Sequence, residues 1–154
     1  MDITEQTKEI SAQPGMRLLK SFVNTTPFAP GRRPFFKYRD LGLEGATGGR
    51  MRAYQNSSIA GMTEATGWHY HICEMQFVYV LKGKLIIEFE DGTVATFTAG
   101  DAFFVPGGVR HNEIYVSEDK EALEVSVPGK IGTVNVERPA GLPEMLREVS
   151  NERP

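Results

Sequence analysis

Two histidines stand two residues apart, as His69 and His71, and the chain of 154 residues contains only one more. Residues 67–71 have the character of a β-strand, in which alternate side chains point to the same face. Two neutral imidazoles presented side by side suit Zn, Ni, Fe or Cu, although two ligands alone bind a metal weakly. The same pattern also fits an exposed β-segment that holds no ligand.

The sequence around these histidines predicts a series of short strands separated by turns. The segments are β-branched or aromatic in character, and turn pairs such as Lys82-Gly83, Asp91-Gly92 and Gly100-Asp101 stand between them. This regular spacing is typical of a β-sandwich or barrel. The predicted strands are residues 35–40, 50–58, 67–71, 77–81, 84–89, 93–98, 102–105, 111–116 and 122–127.

Two longer stretches resemble the paired motifs of the cupin superfamily. Residues 67–83 read Gly-Trp-His-Tyr-His-Ile-Cys-Glu-Met-Gln-Phe-Val-Tyr-Val-Leu-Lys-Gly, and residues 100–111 read Gly-Asp-Ala-Phe-Phe-Val-Pro-Gly-Gly-Val-Arg-His. The first motif consists of two histidines, an acid and a closing glycine, and the second of glycine, proline, glycine and a third histidine. The resemblance covers residues 51–128 and implies a small single-domain cupin. Its fold would be an all-β, RmlC-like jelly-roll barrel, also called a double-stranded β-helix.

The resemblance also implies a metal site. It places His111 beside His69 and His71 as the third ligand, and Gln76 where many cupins have a ligand glutamate. The expected cofactor is one divalent transition-metal ion, either Zn, Ni, Fe or Mn. A carboxamide coordinates through its oxygen but brings no negative charge, so the ion keeps its full positive charge. We therefore expect a stronger Lewis acid that is held less tightly.

Such a site suits non-redox chemistry, because an ion with open positions can polarise a carbonyl or enol oxygen. We predict a metal-dependent enzyme of the isomerase or lyase type that acts on a small polar metabolite. The ligand set resembles that of small cupins that open unsaturated uronate sugars to linear keto forms. Two alternatives stay open. One is a non-haem iron dioxygenase, since three-histidine iron sites occur among cupin dioxygenases, and the other is a non-catalytic barrel that binds or senses a small molecule.

Two further residues are candidates for catalytic proton transfer. Glu113 and Tyr115 lie two and four residues beyond His111, so on an unbroken strand both share its inward face. In the alternative interpretation, Glu113 faces solvent after a bulge and Tyr115 is an ordinary core residue.

Composition limits the partners that the chain can have. Seventeen basic and twenty acidic residues give a formal net charge of −3, and the basic residues are scattered apart from the Arg32-Arg33 pair. Nucleic-acid binding is therefore not expected. The apolar runs are shorter than the roughly 20 residues that cross a bilayer, no secretory signal pattern is visible, and the single Cys73 excludes an internal disulfide. We expect a cytoplasmic protein with a small-molecule substrate or ligand and no membrane partner.

The chain is expected to form one domain with two flanking segments. Residues 1–31 are polar and rich in breakers, which predicts an irregular N-terminal arm. The cupin barrel is predicted at residues 32–138, and a C-terminal tail follows at residues 139–154. Within this tail, residues 142–149 predict a short helix with one apolar face. Cupins of this length commonly pair through sheet faces and N-terminal arms, so the resemblance also implies a homodimer.

Overall fold

The computed structural model of the chain describes residues 12–149, in which two six-stranded sheets form a jelly roll. A short helix, α1 (Leu43–Ala46), lies between the second and third strands. The strands are β1 (Ala29–Pro30), β2 (Phe36–Asp40), β3 (Arg52–Ser58), β4 (His69–Ile72), β5 (Met75–Lys82), β6 (Lys84–Phe89), β7 (Thr93–Thr98), β8 (Ala102–Pro106), β9 (His111–Val116), β10 (Glu121–Val127), β11 (Gly132–Asn135) and β12 (Arg147–Val149). This architecture confirms the all-β jelly-roll prediction.

The two sheets are built almost entirely from antiparallel pairs. The first sheet has the strand order β1-β2-β3-β10-β5-β8, and the second has the order β11-β4-β9-β6-β7-β12. Chain neighbours such as β5 and β6 lie in different sheets, as the crossing connections of a jelly roll require. None of the helices within residues 12–149 is long and apolar enough to cross a membrane.

The main apolar core lies between the sheets. Val80 of β5 is fully buried, and it belongs to one cluster with Leu85 and Ile87 of β6 and Val116 of β9. Phe35 and Phe36 close this cluster from the beginning of β2.

Strand β5 shows how one strand serves both the core and the polar interior. From Met75 to Leu81 its side chains alternate between exposed and buried positions, and the buried ones are Gln76, Val78 and Val80. The exposed positions are also apolar, so hydrophobicity alone does not reveal the alternation. The pleat nevertheless fixes Gln76 on the inward face.

The predicted C-terminal helix at residues 142–149 is wrong. The guanidinium of Arg138 donates hydrogen bonds to the carbonyl oxygens of Leu142 and Pro143, which a helix would pair with amides four residues later. The amide of Arg147 instead donates to Gly92 O at 3.0 Å, and residues Arg147–Val149 form β12 alongside β7. Pairing with a sheet edge satisfies this backbone better than one isolated helical turn.

Candidate metal centre

Three histidines converge on the inner face of the second sheet. His69 of β4 lies directly opposite His111 of β9, and His71 follows two residues along β4 on the same face. The ring centroids are 4.4 Å apart for His69 and His111, and 5.2 Å apart for each pair that includes His71. One nitrogen from each ring lies within 4.8 Å of the others. This spacing suits a single ion bound between them.

Hydrogen bonds fix the orientation of the imidazole rings. The Nδ1–H of His69 donates to the carbonyl of Gly67 at 2.7 Å, and that of His111 donates to the carbonyl of Val109 at 3.0 Å. A carbonyl only accepts, so Nδ1 carries the proton and Nε2 keeps its lone pair. This is the arrangement by which proteins orient metal-binding histidines.

The electrostatic environment keeps two of the rings in the form that binds metals. Burial lowers the pKa of His69 to about 4, although its hydrogen bond to Gly67 opposes the shift. Burial, with the charges of His111 and His69, lowers the pKa of His71 to about 3. Near neutral pH both rings are uncharged, so a metal ion does not compete with protons for their nitrogens. The residues present therefore fit a divalent transition metal.

His71 differs from the other two histidines because a side chain holds it. Its Nδ1 lies 3.0 Å from Thr133 Oγ1, directly across the pair formed by β4 and β11. We expect Thr133→Val to lower metal affinity about 10- to 100-fold, because the ring loses its side-chain anchor. Thr133→Ser keeps the hydroxyl and should bind like the wild type. Chelator competition measures both, and equal affinities for the Val and Ser variants would contradict the prediction.

Gln76 is part of a hydrogen-bonded network in the first sheet. Its Nε2 donates to Glu124 Oε1 at 2.8 Å, while Asn56 Nδ2 donates to Glu124 Oε2 at 3.4 Å. Arg52 lies 3.5 Å from the same carboxylate, and Lys120 Nζ donates to Asn56 Oδ1 at 2.6 Å. Because Glu124 takes the amide nitrogen of Gln76, the amide oxygen is the atom left for another partner.

Lys120 is a buried cation inside this network. It is 4% exposed, and its Nζ lies 4.4 Å from the centre of the Phe36 ring. Burial lowers the pKa of Lys120 to about 8, although the nearby carboxylates of Glu113 and Glu124 oppose the shift. The amine can therefore lose and regain a proton near physiological pH, which an exposed lysine does not do.

Lys120 should give the protein a specific pH dependence. The unfolded chain holds this proton up to the ordinary value of 10.5, while the folded chain releases it near 8, so stability should rise with pH between these values. From about pH 7 to pH 9.5, we expect the free energy of unfolding of the wild type to rise by on the order of 1–2 kcal/mol relative to that of Lys120→Met. Denaturant unfolding of the metal-free proteins measures this. Lys130→Met, at an exposed position, is the control, and parallel curves for wild type and Lys120→Met would contradict the prediction.

The two residues predicted for proton transfer end up on opposite sides of the strand. Glu113 faces the interior beside the histidines, and burial raises its pKa. Tyr115 is 43% exposed and lies under Lys84 Nζ at 5.3 Å, so the expectation that it points inward is wrong. A register shift between β6 and β9 inserts Ile114 as an extra residue, and this bulge reverses the alternation beyond Glu113.

The glycines of the second motif support the loop that joins the ligand-bearing strands β4 and β5. Gly107 N donates to Glu74 O and Gly108 N to His71 O, each at 3.0 Å. A Cβ at Gly107 would lie 1.7 Å from the carbonyl oxygen of Cys73, so no other residue fits there. The loop between β4 and β5 is thereby held against the end of β8, which fixes the spacing of His71 and Gln76.

The histidines and the polar network line one cavity of about 500 Å³. Its walls also include apolar side chains such as Val78, Leu85 and Phe103. A volume of this size accommodates a small metabolite beside a metal ion. The ionisable residues that line it are Arg32, Arg33, Tyr38, Asp40, Arg52, Tyr54, His69, His71, His111, Glu113, Lys120 and Glu124.

Several of these residues escape prediction from sequence. Glu124 carried a usable signal, because it alternates with Ala122 and Ser126 on a predicted strand and must share their inward face. Lys120 lies in the short stretch between the predicted strands 111–116 and 122–127, where lysine is normally exposed. Thr133 lies on β11, which no local pattern indicates.

With the geometry known, comparison with known proteins identifies the fold family. The model of the family described as "Cupin domain" matches residues 58–127, which include all three histidines and Gln76. The chain contains a cupin domain. This confirms the resemblance seen in the two motifs.

Similar proteins agree with the cupin assignment. The polyketide cyclase RemF from Streptomyces resistomycificus superposes with a TM-score of 0.62 at 20% identity, covering 80% of this chain and 89% of RemF. KdgF from Halomonas sp. gives a TM-score of 0.59 at 19% identity, covering 71% of this chain and 94% of KdgF. At these identities the likeness establishes the cupin fold alone.

A relative in sequence covers a smaller region. The uncharacterized protein YdbB of Bacillus subtilis (strain 168) is 34% identical over 53 residues. That match covers 34% of this chain and 47% of YdbB, so the chain spans about half of the length of the curated relative that it matches.

Proposed function

We propose that this cupin is a metal-dependent enzyme that performs non-redox, isomerase- or lyase-type chemistry on a small polar metabolite. The proposal is carried by one observation: three oriented imidazoles open into a cavity that also holds a buried carboxyl and a buried amine. Ligands for an ion and groups that move protons are the two requirements of such chemistry. RemF, which has the same fold, is named as a polyketide cyclase.

In this proposal His69, His71 and His111 hold one divalent transition-metal ion, and the amide oxygen of Gln76 is the fourth ligand. A bound ion would supply Lewis acidity towards a carbonyl or enol oxygen. The hydrogen bond from Gln76 to Glu124 leaves the amide oxygen available. Because none of these four side chains carries a negative charge, the site favours polarisation of a substrate over redox chemistry at a carboxylate-bound iron.

Two residues of the cavity are proposed to move protons. Glu113 stands on the same inward face as His111, two residues away, and Lys120 approaches from the loop before β10. A carboxyl and an amine that line the same cavity can remove a proton from one atom of a substrate, a carbon or an oxygen, and return it to a different atom. The apolar wall formed by Val78, Leu85 and Phe103 limits the access of water to that exchange.

Proton transfer on simple probes tests the proposed reaction. The protein is loaded with Zn, Ni, Mn or Fe(II) and incubated in deuterated buffer with small 2-oxo acids and aldose sugars. NMR should show metal-dependent deuterium incorporation next to the carbonyl, above that seen with His111→Ala, and an oxygen electrode should show no uptake. Oxygen consumption with an oxidised product would support an iron dioxygenase instead. Binding without exchange would support a non-catalytic barrel.

We also propose that the outer face of β5 forms a homodimer interface. Met75, Phe77, Tyr79 and Leu81 are all 39–48% exposed on this face, beside Phe104 of the edge strand β8 at 56%. A contiguous apolar patch of this kind typically marks an association surface. We expect Phe77→Glu to convert a dimer into a monomer in light scattering. Ile59→Glu, at a separate exposed apolar residue, should leave the mass unchanged, and a wild-type monomer would contradict the proposal.

A further inference from the structure

The Arg32-Arg33 pair, which stands out in the sequence, lines the same cavity as the three histidines. Both arginines line the cavity, together with Pro30 and Gly31 of the same segment. This segment follows β1 and forms part of the cavity wall. Its position makes it part of the site in space, although it lies about 40 residues earlier in the sequence than the first histidine.

The backbone of the arginine pair is held in place on both sides. Gly31 N donates to Phe36 O at 2.9 Å, and a Cβ at Gly31 would lie 2.4 Å from the ring of Tyr38, so glycine is required for this close approach. The guanidinium of Arg33 donates to the carbonyl oxygen of Thr66, in the loop before β4. These contacts fix Arg32 between two anchored positions.

Neither arginine of the pair forms an ion pair within the described residues. Arg52 and Lys120, the other cations of the cavity, face the carboxylate of Glu124. Arg32 forms no hydrogen bond or ion pair with any other residue of the part of the chain described. Within the same residues, the Nε of Arg33 is buried without a hydrogen-bond partner. The guanidinium of Arg32 and the Nε of Arg33 therefore have no protein acceptor in this part of the chain.

The field of Arg32 extends across the whole centre. Burial is the main cause of the low pKa values of His69 and His71, and the charge of Arg32 adds to it in both cases. The same charge favours the ionised form of Glu113, against the larger effect of burial. The guanidinium thus acts on residues of both β4 and β9. A divalent ion at the histidines would increase the excess of positive charge.

We propose that Arg32 and Arg33 form an anion subsite, and that the ligand of the cavity is a small carboxylate. A carboxylate matches the planar donor geometry of a guanidinium and supplies the acceptor that the side chain of Arg32 lacks among the described residues. The subsite deepens the proposed function and rests on it, because it names a small organic acid as the substrate class. Arg32 is the binding residue, and Arg33 anchors the wall through Thr66 and adds a second positive charge.

Binding of a matched pair of probes tests the subsite. Pyruvate and pyruvamide have the same size and the same carbonyl oxygen, but only pyruvate is charged. Calorimetry on the zinc-loaded protein should show that the wild type binds pyruvate about tenfold or more tightly than pyruvamide, as expected for hydrogen bonds to a charged group. Arg32→Gln should lose most of that preference. Arg147→Gln removes an equal charge from the exposed strand β12 and should keep it.

The outcomes separate this proposal from the proposed reaction. Zinc content and the thermal midpoint should match in all three proteins, because Arg32 is exposed and has no structural partner in the described chain. A wild type without preference for pyruvate would overturn the subsite. An equal loss of that preference in Arg32→Gln and Arg147→Gln would also overturn it. Loss of the preference for pyruvate in Arg32→Gln alone supports the subsite even when no proton exchange is seen. Exchange without any effect of Arg32→Gln on binding leaves the proposed function and removes the subsite.

Discussion

Replacement of His111 by alanine is expected to lower the affinity for zinc or nickel by more than about 100-fold. Loss of a residue that only orients a ligand already costs 10- to 100-fold, and His111 is proposed to be a ligand itself. Its ring centroid lies 4.4 Å from that of His69 and the residue is 4% exposed, so alanine would leave this buried position without a nitrogen donor. The remaining pair on β4 would offer a site with two imidazoles, which holds a metal weakly.

Competition with a chromophoric chelator measures this affinity, and circular dichroism checks that the variant is folded. Tyr115→Phe is the matched control, because Tyr115 lies on the same strand but points outward. It should bind metal like the wild type. If His111→Ala kept the wild-type affinity, the three histidines would not form the binding site.

Exchange of the residues at positions 76 and 124 is expected to reveal why this cupin has a glutamine in the ligand position. Gln76 donates to Glu124 at 2.8 Å, so Gln76→Glu would place two carboxylates in contact. Two negative charges at that distance repel each other strongly. We expect the metal-free Gln76→Glu variant to lose about 1–3 kcal/mol of stability near pH 8, and Glu124→Gln added to it to restore most of that loss.

The double variant should also bind metal at least about tenfold more tightly than the wild type, because an anionic oxygen then replaces a neutral one. Glu124→Gln alone provides the fourth corner of the double-mutant cycle. Denaturant unfolding gives the coupling energy, and chelator competition gives the affinity. Additive stability effects would contradict the contact between Gln76 and Glu124, and an unchanged affinity would show that position 76 does not bind the metal.

Much of the fold could be predicted from the sequence because its turns are marked by glycine and its strands by β-branched and aromatic residues. The bounds predicted for β6, β7 and β9 match the structure to the residue. The strands β11 and β12 have no such signal, since both are short and are defined by pairing with β4 and β7. Sheet edges recruit such segments through backbone hydrogen bonds, which depend little on side-chain type.

The site could be predicted only in part, for two physical reasons. Alternation along a strand places Glu113 correctly, but it fails at Tyr115 because one inserted residue reverses the pleat. Residues from distant segments, such as Arg32 and Thr133, reach the cavity through tertiary packing alone. The motifs therefore indicate the histidines, whereas the charges that surround them are visible only in three dimensions.

The most direct test of the account is the metal bound by the purified, full-length protein and the atoms that surround it. Plasma mass spectrometry should find close to one divalent ion per chain after reconstitution. X-ray absorption spectroscopy of that sample should show a shell of nitrogen and oxygen atoms with the multiple scattering of about three imidazoles. A stoichiometry near zero after reconstitution, or a bound ion without imidazole scattering, would contradict the proposed metal centre.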